Sequence, residues 1–447
     1  MKTKVDTRVA QEPKTVAIIT LGCSKNTVDS EILAGHLKGS NFVQTTNAEE
    51  ADAVVINTCG FIDAAKEESI NTIIEAGNLK KSGKLKTLIV AGCLSARYGD
   101  ELKEGLPEVD HFFGTEDYGN ILKALSEDLK YNLLGEHKKV QRILSTPNHY
   151  AYLKISEGCD NPCSFCAIPI MRGGHISKPK EELIEEVELL VAQGIKEIVV
   201  VGQDTTFYGL DTAERRRSLG DLLRAISDVP GVEWIRLMYA YPAKFPREIL
   251  DVIAERDNIC KYIDMPMQHI STNVLKSMRR GITRRTLEEL VAHIRERVPG
   301  ITMRTTFIVG YPSETEADFE ELCDFVRQIR LDRIGVFTYS QEDDTYADIL
   351  GDPIPQDVKE DRKIRLMEIQ RQISYEKNQE KIGKQIKVLI EEDHNGEYQG
   401  RSESDAPEVD NEIFVQTSIP LKPGDFVIAE IDDASEFDLF GRFVRMA

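Results

Sequence analysis

The stretch SEGCDNPCSFCAIP (156–169) spaces Cys159, Cys163 and Cys166 as C-x-x-x-C-x-x-C. Thiolates are soft ligands that select zinc, copper(I) or iron–sulfur clusters. A 4Fe-4S cluster offers four irons, so three local thiolates leave one iron open to a substrate. Zinc is the alternative, with His175 or a distant cysteine as fourth ligand. The next cysteine along the chain, Cys260, lies 94 positions beyond Cys166 (260 − 166). Phe165, beside the third cysteine, is a flat apolar ring suited to packing an adenine; filling a core is its alternative.

A second set lies upstream. Cys23 ends TLGC, Cys59 ends INTC and Cys93 ends VAGC, at intervals of 36 (59 − 23) and 34 (93 − 59). Each follows a predicted strand. Consecutive parallel strands end on one rim, so the three should converge, whereas a single cysteine at a strand end is usually just buried. Again the count is three, which would leave one iron free to hold a sulfur species. Cys323, within the helical apolar pattern FEELCDFV, reads as core, and Cys260, after a helix, has no assigned role.

The elements that must position these groups fall into three textures. From 15 to 136, the β-branched runs VAIITL, AVVIN and TLIVA alternate with amphipathic stretches, the pattern of a small open α/β sheet. Asp29 or Ser30 is the expected cap of the first helix. From 145 to 375, six strand–helix units begin with YLKIS, EIVVVG, WIRLMY, YIDMPM, TMRTTFIVG and RIGVFTY. Six units predict a curved partial (β/α)6 barrel, since closure would need eight. A charged helix over 357–381 follows. From 380 to 447, short alternating runs with turn signals predict a small all-β barrel of about five strands. The fold class is therefore α/β with an all-β C-terminal unit.

Bulk properties narrow the chemistry. There are 76 acidic and 56 basic residues, a formal net charge of −20. So acidic a chain is a poor general binder of phosphate backbones. No run of about 18 apolar residues predicts a membrane span. The polar lead-in MKTKVDTRVAQEPKT lacks the apolar centre of a secretory signal. A cytoplasmic location is expected, where thiols stay reduced and cysteines serve as ligands or buried hydrophobes. Glycine-rich phosphate loops are absent next to the strand ends. The basic runs at 215–217, 279–280 and 284–285 read as solvated faces or loops.

The spacing C-x-x-x-C-x-aromatic-C on the first strand of a partial barrel resembles the radical S-adenosylmethionine superfamily. With LGCSKNTVDSE (21–31), INTCGF (56–61), AGCL (91–94) and a terminal barrel similar to the TRAM domain, nearly the whole chain resembles the methylthiotransferase family. The resemblance implies two 4Fe-4S clusters, one on Cys159, Cys163 and Cys166 that binds and cleaves S-adenosylmethionine, and one on Cys23, Cys59 and Cys93 that carries the sulfur. It implies that one S-adenosylmethionine methylates that sulfur, and that a radical made from a second removes a substrate hydrogen. It further implies cofactor contacts from Gly202, Gln203 and Asp204 and from Ile308 and Gly310, with plain core the alternative for Ile308; strand-end position adds Arg236, Tyr239 and Gln268. ISEGCDNPCSFCAIP looks most like the branch that modifies the β-carbon of an aspartate in small-subunit ribosomal protein number twelve; a sister branch acts on transfer-RNA adenosine. Residues 384–447 hold 15 acidic and 6 basic residues, a net of −9. That charge suits a basic protein partner better than RNA, although RNA contact stays open. An electron donor and a sulfur donor are further expected partners. A non-enzymatic iron–sulfur electron carrier is the reading from another class.

Overall fold

The structure, a computed structural model, describes residues 12–40, 42–131, 141–394 and 396–447. Most of the polar lead-in and the expected domain end at 136 lie outside these residues. Contacts divide the chain into two compact units. One comprises 1–145 with 170–172; the other comprises 146–169 with 173–447.

The first unit is built on five parallel strands: β1 (Thr15–Thr20), β2 (Val43–Thr45), β3 (Ala53–Thr58), β4 (Thr87–Gly92) and β5 (His111–Phe112), in spatial order β2-β1-β3-β4-β5. Every residue of β3 and β4 is buried, as expected of parallel strands covered on both faces. The period of two is visible in the packing. Val55 and Ile89 face one core with Leu33, Leu37 and Leu125. Val54, Ile56, Leu88 and Val90 face the other with Ile73 and Leu102. The short strands β2 and β5 escaped the sequence pattern because three and two residues show no period. The chain reverses direction across the sheet between β1 and β3, the point where such folds bind ligands.

The first helix, Ser24–Gly39, starts earlier than its sequence suggested: Cys23 is its N-cap, not Asp29 or Ser30. The polar residues SKNT disguise a buried first turn. There Asn26 Nδ2 donates to the carbonyls of Leu21 (2.8 Å) and Thr58 (3.0 Å).

The second unit opens with β6 (Tyr150–Lys154), the short antiparallel pair β7 (Ser156–Glu157) and β8 (Ile176–Ser177), then β9 (Glu197–Val201), β10 (Trp234–Leu237), β11 (Ile259–Asp264), β12 (Thr302–Val309) and β13 (Arg333–Thr338). The six strands β6-β9-β10-β11-β12-β13 form one parallel sheet in chain order. The ring is not closed, which is the expected partial barrel. Helix Gln356–Gln379 leads to β14 (Gln385–Asp393), β15 (Glu397–Ser402), β16 (Ile413–Gln416), β17 (Phe426–Ala434) and β18 (Leu439–Met446), a closed barrel in the order β14-β15-β16-β18-β17. Asn378 and Gln379 tie the helix end to the barrel through the carbonyls of Ser435 and Ala434.

The closed barrel is fastened to the parallel sheet by a buried ion cluster. Glu197, the first residue of β9, meets Arg236 Nε through Oε1 (2.7 Å) and Arg401 Nη2 through Oε2 (2.7 Å). Arg236 also donates to the carbonyls of Glu403 (2.7 Å) and Ser402 (3.3 Å). Arg236, an expected cofactor contact, thus has all three guanidinium nitrogens engaged at the barrel attachment. Among the described residues, no helix is long and apolar enough to cross a membrane.

Candidate metal centres

Upstream, β1, β3 and β4 deliver Cys23, Cys59 and Cys93 to one spot. Close approach requires glycine. A Cβ at Gly22 (φ +93°) would lie 2.7 Å from Cys59 Cβ, and one at Gly60 would lie 2.8 Å from Leu94 Cα. Ser69 grips the Cys59 backbone at both ends, receiving from its N–H (3.1 Å) and donating to its carbonyl (2.9 Å). Burial raises the Cys23 thiol, but Lys25, the backbone N–H groups of Asn26 and Lys25, and Arg172 together bring it below its ordinary value. A helix N-terminus favours thiolate in this way. Burial pushes Cys59 up, and it pushes Cys93 to about 11, with the neighbouring thiolates adding to the effect.

Arg172 went unnoticed in the sequence. It belongs with the first unit, is buried, and points Nε at Cys93 Sγ (3.2 Å). Its Nη2 donates to Asn26 Oδ1 (2.5 Å) and Asp29 Oδ2 (3.0 Å). Its one sequence signal is its place six residues after Cys166 in CAIPIMR.

Downstream, Cys159, Cys163 and Cys166 lie in the loop after β7. Cys159 N donates to Gly173 O (3.1 Å). Asn161 Nδ2 reaches Cys159 Sγ (3.4 Å) and Asp204 Oδ2 (2.7 Å). Ser164 is pinned to Met278 O through its N–H (3.0 Å) and to Ala347 N through its carbonyl (2.7 Å). Burial, with other anions nearby, pushes Cys159 to about 11 and Cys166 to about 12. Thiols bind a metal as thiolates, so metal binding here would release protons. Arg280 was expected on a solvated face. It is buried instead, with Nη1 3.3 Å from Cys163 Sγ.

The donor sets bear on the choice between zinc and a cluster. All eight cysteines are unbridged. A tetrahedral zinc at about 2.3 Å from each sulfur needs sulfurs about 3.8 Å apart. Among the described residues, neither trio gathers its three sulfurs within 4.8 Å of one another. His175, the suggested fourth zinc ligand, turns Nε2 to Ser177 Oγ (3.1 Å) and sets its ring against Phe207. Cys323 is core on helix Glu316–Ile329, and Cys260 is buried on β11 near Arg236.

The remaining expected cofactor contacts divide by environment. Phe165 and Ile308 pack against one cluster formed by Val274, Met278, Tyr311, Tyr339 and Ala347. Gly202 abuts Ser156, where a Cβ would come within 2.8 Å of its hydroxyl. Gln203 donates Nε2 to Glu157 (2.9 Å). Gln268 (φ +73°) pairs its backbone with Thr306 and Ile308. Among the described residues, the amide oxygens of Gln203 and Gln268 are buried without a hydrogen-bond partner. Such orphan acceptors fit a ligand with ammonium or hydroxyl donors. Asp204 spends Oδ1 on the Thr206 N–H and hydroxyl and Oδ2 on Asn161, so it holds the cysteine loop. Tyr239 (φ +58°) receives Thr205 N at its carbonyl and donates its N–H to Asp264. Gly310 N donates to Glu314 (2.5 Å), and Lys359 leaves no room there for a Cβ.

Three family descriptions match successive parts of the chain: Uncharacterized protein family UPF0004 over 15–114, the Radical SAM superfamily over 153–326 and the TRAM domain over 382–444. A protein of Cytophaga hutchinsonii called "Ribosomal protein uS12 methylthiotransferase RimO" is 51% identical over 96% of this chain and 98% of its own length. Proteins of the same name from Chloroherpeton thalassium and Flavobacterium psychrophilum are 50% and 49% identical, covering 96% and 95% of this chain and 98% and 97% of their own. Among solved structures, the radical S-adenosylmethionine methyltransferase TsrM of Kitasatospora setae shares the fold, with a TM-score of 0.53 at 16% identity over 74% of this chain and 76% of that one.

Proposed function

This chain belongs to the family of RimO ribosomal protein uS12 methylthiotransferases, and from that premise we propose that it adds a methylthio group to the β-carbon of an aspartate in ribosomal protein uS12. The observation that carries this reading is the pair of three-thiol sets, each on the strand-end side of a parallel sheet. Cys159, Cys163 and Cys166 would hold one 4Fe-4S cluster, the one that serves S-adenosylmethionine. Cys23, Cys59 and Cys93 would hold a second. When bound, these groups supply one-electron cleavage of S-adenosylmethionine and the sulfur that is transferred.

The protein's own residues bind and orient. Phe165 and Ile308 offer an apolar wall to the adenine. Gln203 and Gln268 have buried amide oxygens, unpartnered among the described residues, that would accept from cationic or hydroxyl donors of the cofactor. Gly202, Tyr239 and Gly310 shape the strand ends, and Asp204 fixes the cysteine loop through Asn161. The working parts are an N-terminal domain over 15–136, a radical domain over 145–375 and a TRAM-like barrel over 380–447. The barrel's net charge of −9 suits a basic ribosomal protein, with RNA contact on the assembled subunit. The setting is cytoplasmic, with external electron and sulfur donors.

A transfer-RNA target is not favoured, since the relatives at about half identity carry the ribosomal-protein name. A strain lacking the gene tests this. Intact small-subunit proteins and digested transfer RNA are weighed against the parent strain. Loss of one methylthio group from uS12 is expected; loss from transfer RNA alone would sink the reading.

A second expectation concerns assembly. Gly22→Ala would drive a Cβ into Cys59 at a left-handed φ. Anaerobic reconstitution of this variant should lose the upstream cluster and keep the downstream one, so iron and sulfide per chain fall by half.

A further inference from the structure

Buried arginines in the second unit come with carboxylates. Arg236 and Arg401 share Glu197, Arg333 meets Asp405, and Arg362 meets Glu314. Arg280 is 4% exposed, and among the described residues no carboxylate reaches it at ion-pair distance, Asp204 acting on it only from further away. Its Nη1 lies 3.3 Å from Cys163 Sγ, its Nη2 donates to Pro266 O, and its Nε is buried without a partner. Tyr241 holds it in place. The guanidinium lies 4.2 Å from the Tyr241 ring centroid, and the hydroxyl donates to Arg280 O (3.0 Å) while lying 3.6 Å from Cys163 Sγ. A buried cation is costly unless an anion faces it. The group placed to be that anion is the Cys163 thiolate.

We propose that Arg280, clamped by Tyr241, is a positioning residue that raises the reduction potential of the cluster on Cys159, Cys163 and Cys166 by donating to the Cys163 sulfur. This rests on the reading above that those thiolates hold a cluster. Reduction adds one negative charge, taken from an external one-electron reductant. A fixed positive charge and hydrogen bonds at a ligand sulfur favour the reduced form. Cys159 and Cys166 have no arginine hydrogen bond among the described residues, so the effect enters through one corner.

The test uses the full chain with Cys23, Cys59 and Cys93 replaced by alanine, so that a single cluster titrates. Reconstituted protein is reduced stepwise with dithionite and followed by electron paramagnetic resonance. Arg280→Met should keep its iron and lower the midpoint by at least a tenfold change in the reduction equilibrium, about 59 mV for one electron. Arg280→Lys should recover part of that, and Tyr241→Phe should show a smaller fall. An unchanged or raised midpoint in Arg280→Met overturns the proposal. If that variant loses iron, Tyr241→Phe decides: a lowered midpoint supports the proposal and an unchanged one overturns it. A parent that binds no iron overturns the ligand assignment itself, and this proposal with it.

Discussion

Cys163→Ala is expected to abolish formation of 5′-deoxyadenosine, while Cys59→Ala retains it and loses the methylthio product. The two residues sit in different donor sets. Cys163 lies in the loop after β7, pinned through Ser164 to Met278 and Ala347. On the proposed reading, removing its sulfur takes one of three thiolates from the cluster that binds the cofactor, and it leaves buried Arg280 with only Pro266 O and the Tyr241 ring. Cys59 belongs to the first unit, beside Cys23 and Cys93. Its loss strips the upstream set and leaves the downstream loop untouched. Anaerobic incubation with dithionite and S-adenosylmethionine, followed by chromatography of the nucleoside and mass analysis of a uS12 substrate, reads both outcomes. Equal loss of both products in the two variants would argue against separate roles. A plain electron carrier would make no 5′-deoxyadenosine even before mutation.

Glu197→Gln should cost about 3–5 kcal/mol of stability, because it leaves the buried Arg236 guanidinium without its carboxylate and Arg401 with Glu391 alone. The side chains of Glu197 and Arg236 are 0% exposed and that of Arg401 is 3% exposed, so water cannot compensate. Burial raises the Glu197 carboxyl, but Arg401 and Arg236 outweigh it and hold it down at about 2. A folded value below the ordinary one near 4.3 means the contribution is whole above about pH 4.3 and fades as pH falls toward 2. Urea midpoints of parent and variant at pH 7 and at lower pH measure this. The gap between them should narrow on acidification; a constant gap would show that the carboxylate charge is not what stabilises the attachment.

The thiol positions were legible because their spacing and strand-end placement are one-dimensional facts. The long buried strands were legible for the same reason, since β-branched runs such as AVVINT and EIVVV announce themselves. The short strands β2 and β5 and the early start of helix Ser24–Gly39 were not, because three residues carry no period and a buried polar turn reads as loop. The partners of Arg236 were not legible for a related reason. Its strand position suggested a ligand contact, whereas the carbonyls it meets lie in a barrel more than 160 residues downstream.

Local order of residue types therefore determined the chemistry: two trios of soft donors, the sheets that present them, and an acidic terminal barrel. Only the tertiary structure decided which cations serve them. Arg172 and Arg280 look like any other arginines in a charged chain, and they differ from the rest only in being buried against Cys93 and Cys163. Burial removes the water that would otherwise screen such a charge. That makes a contact of about 3 Å matter, and no count of residues along the chain reveals it.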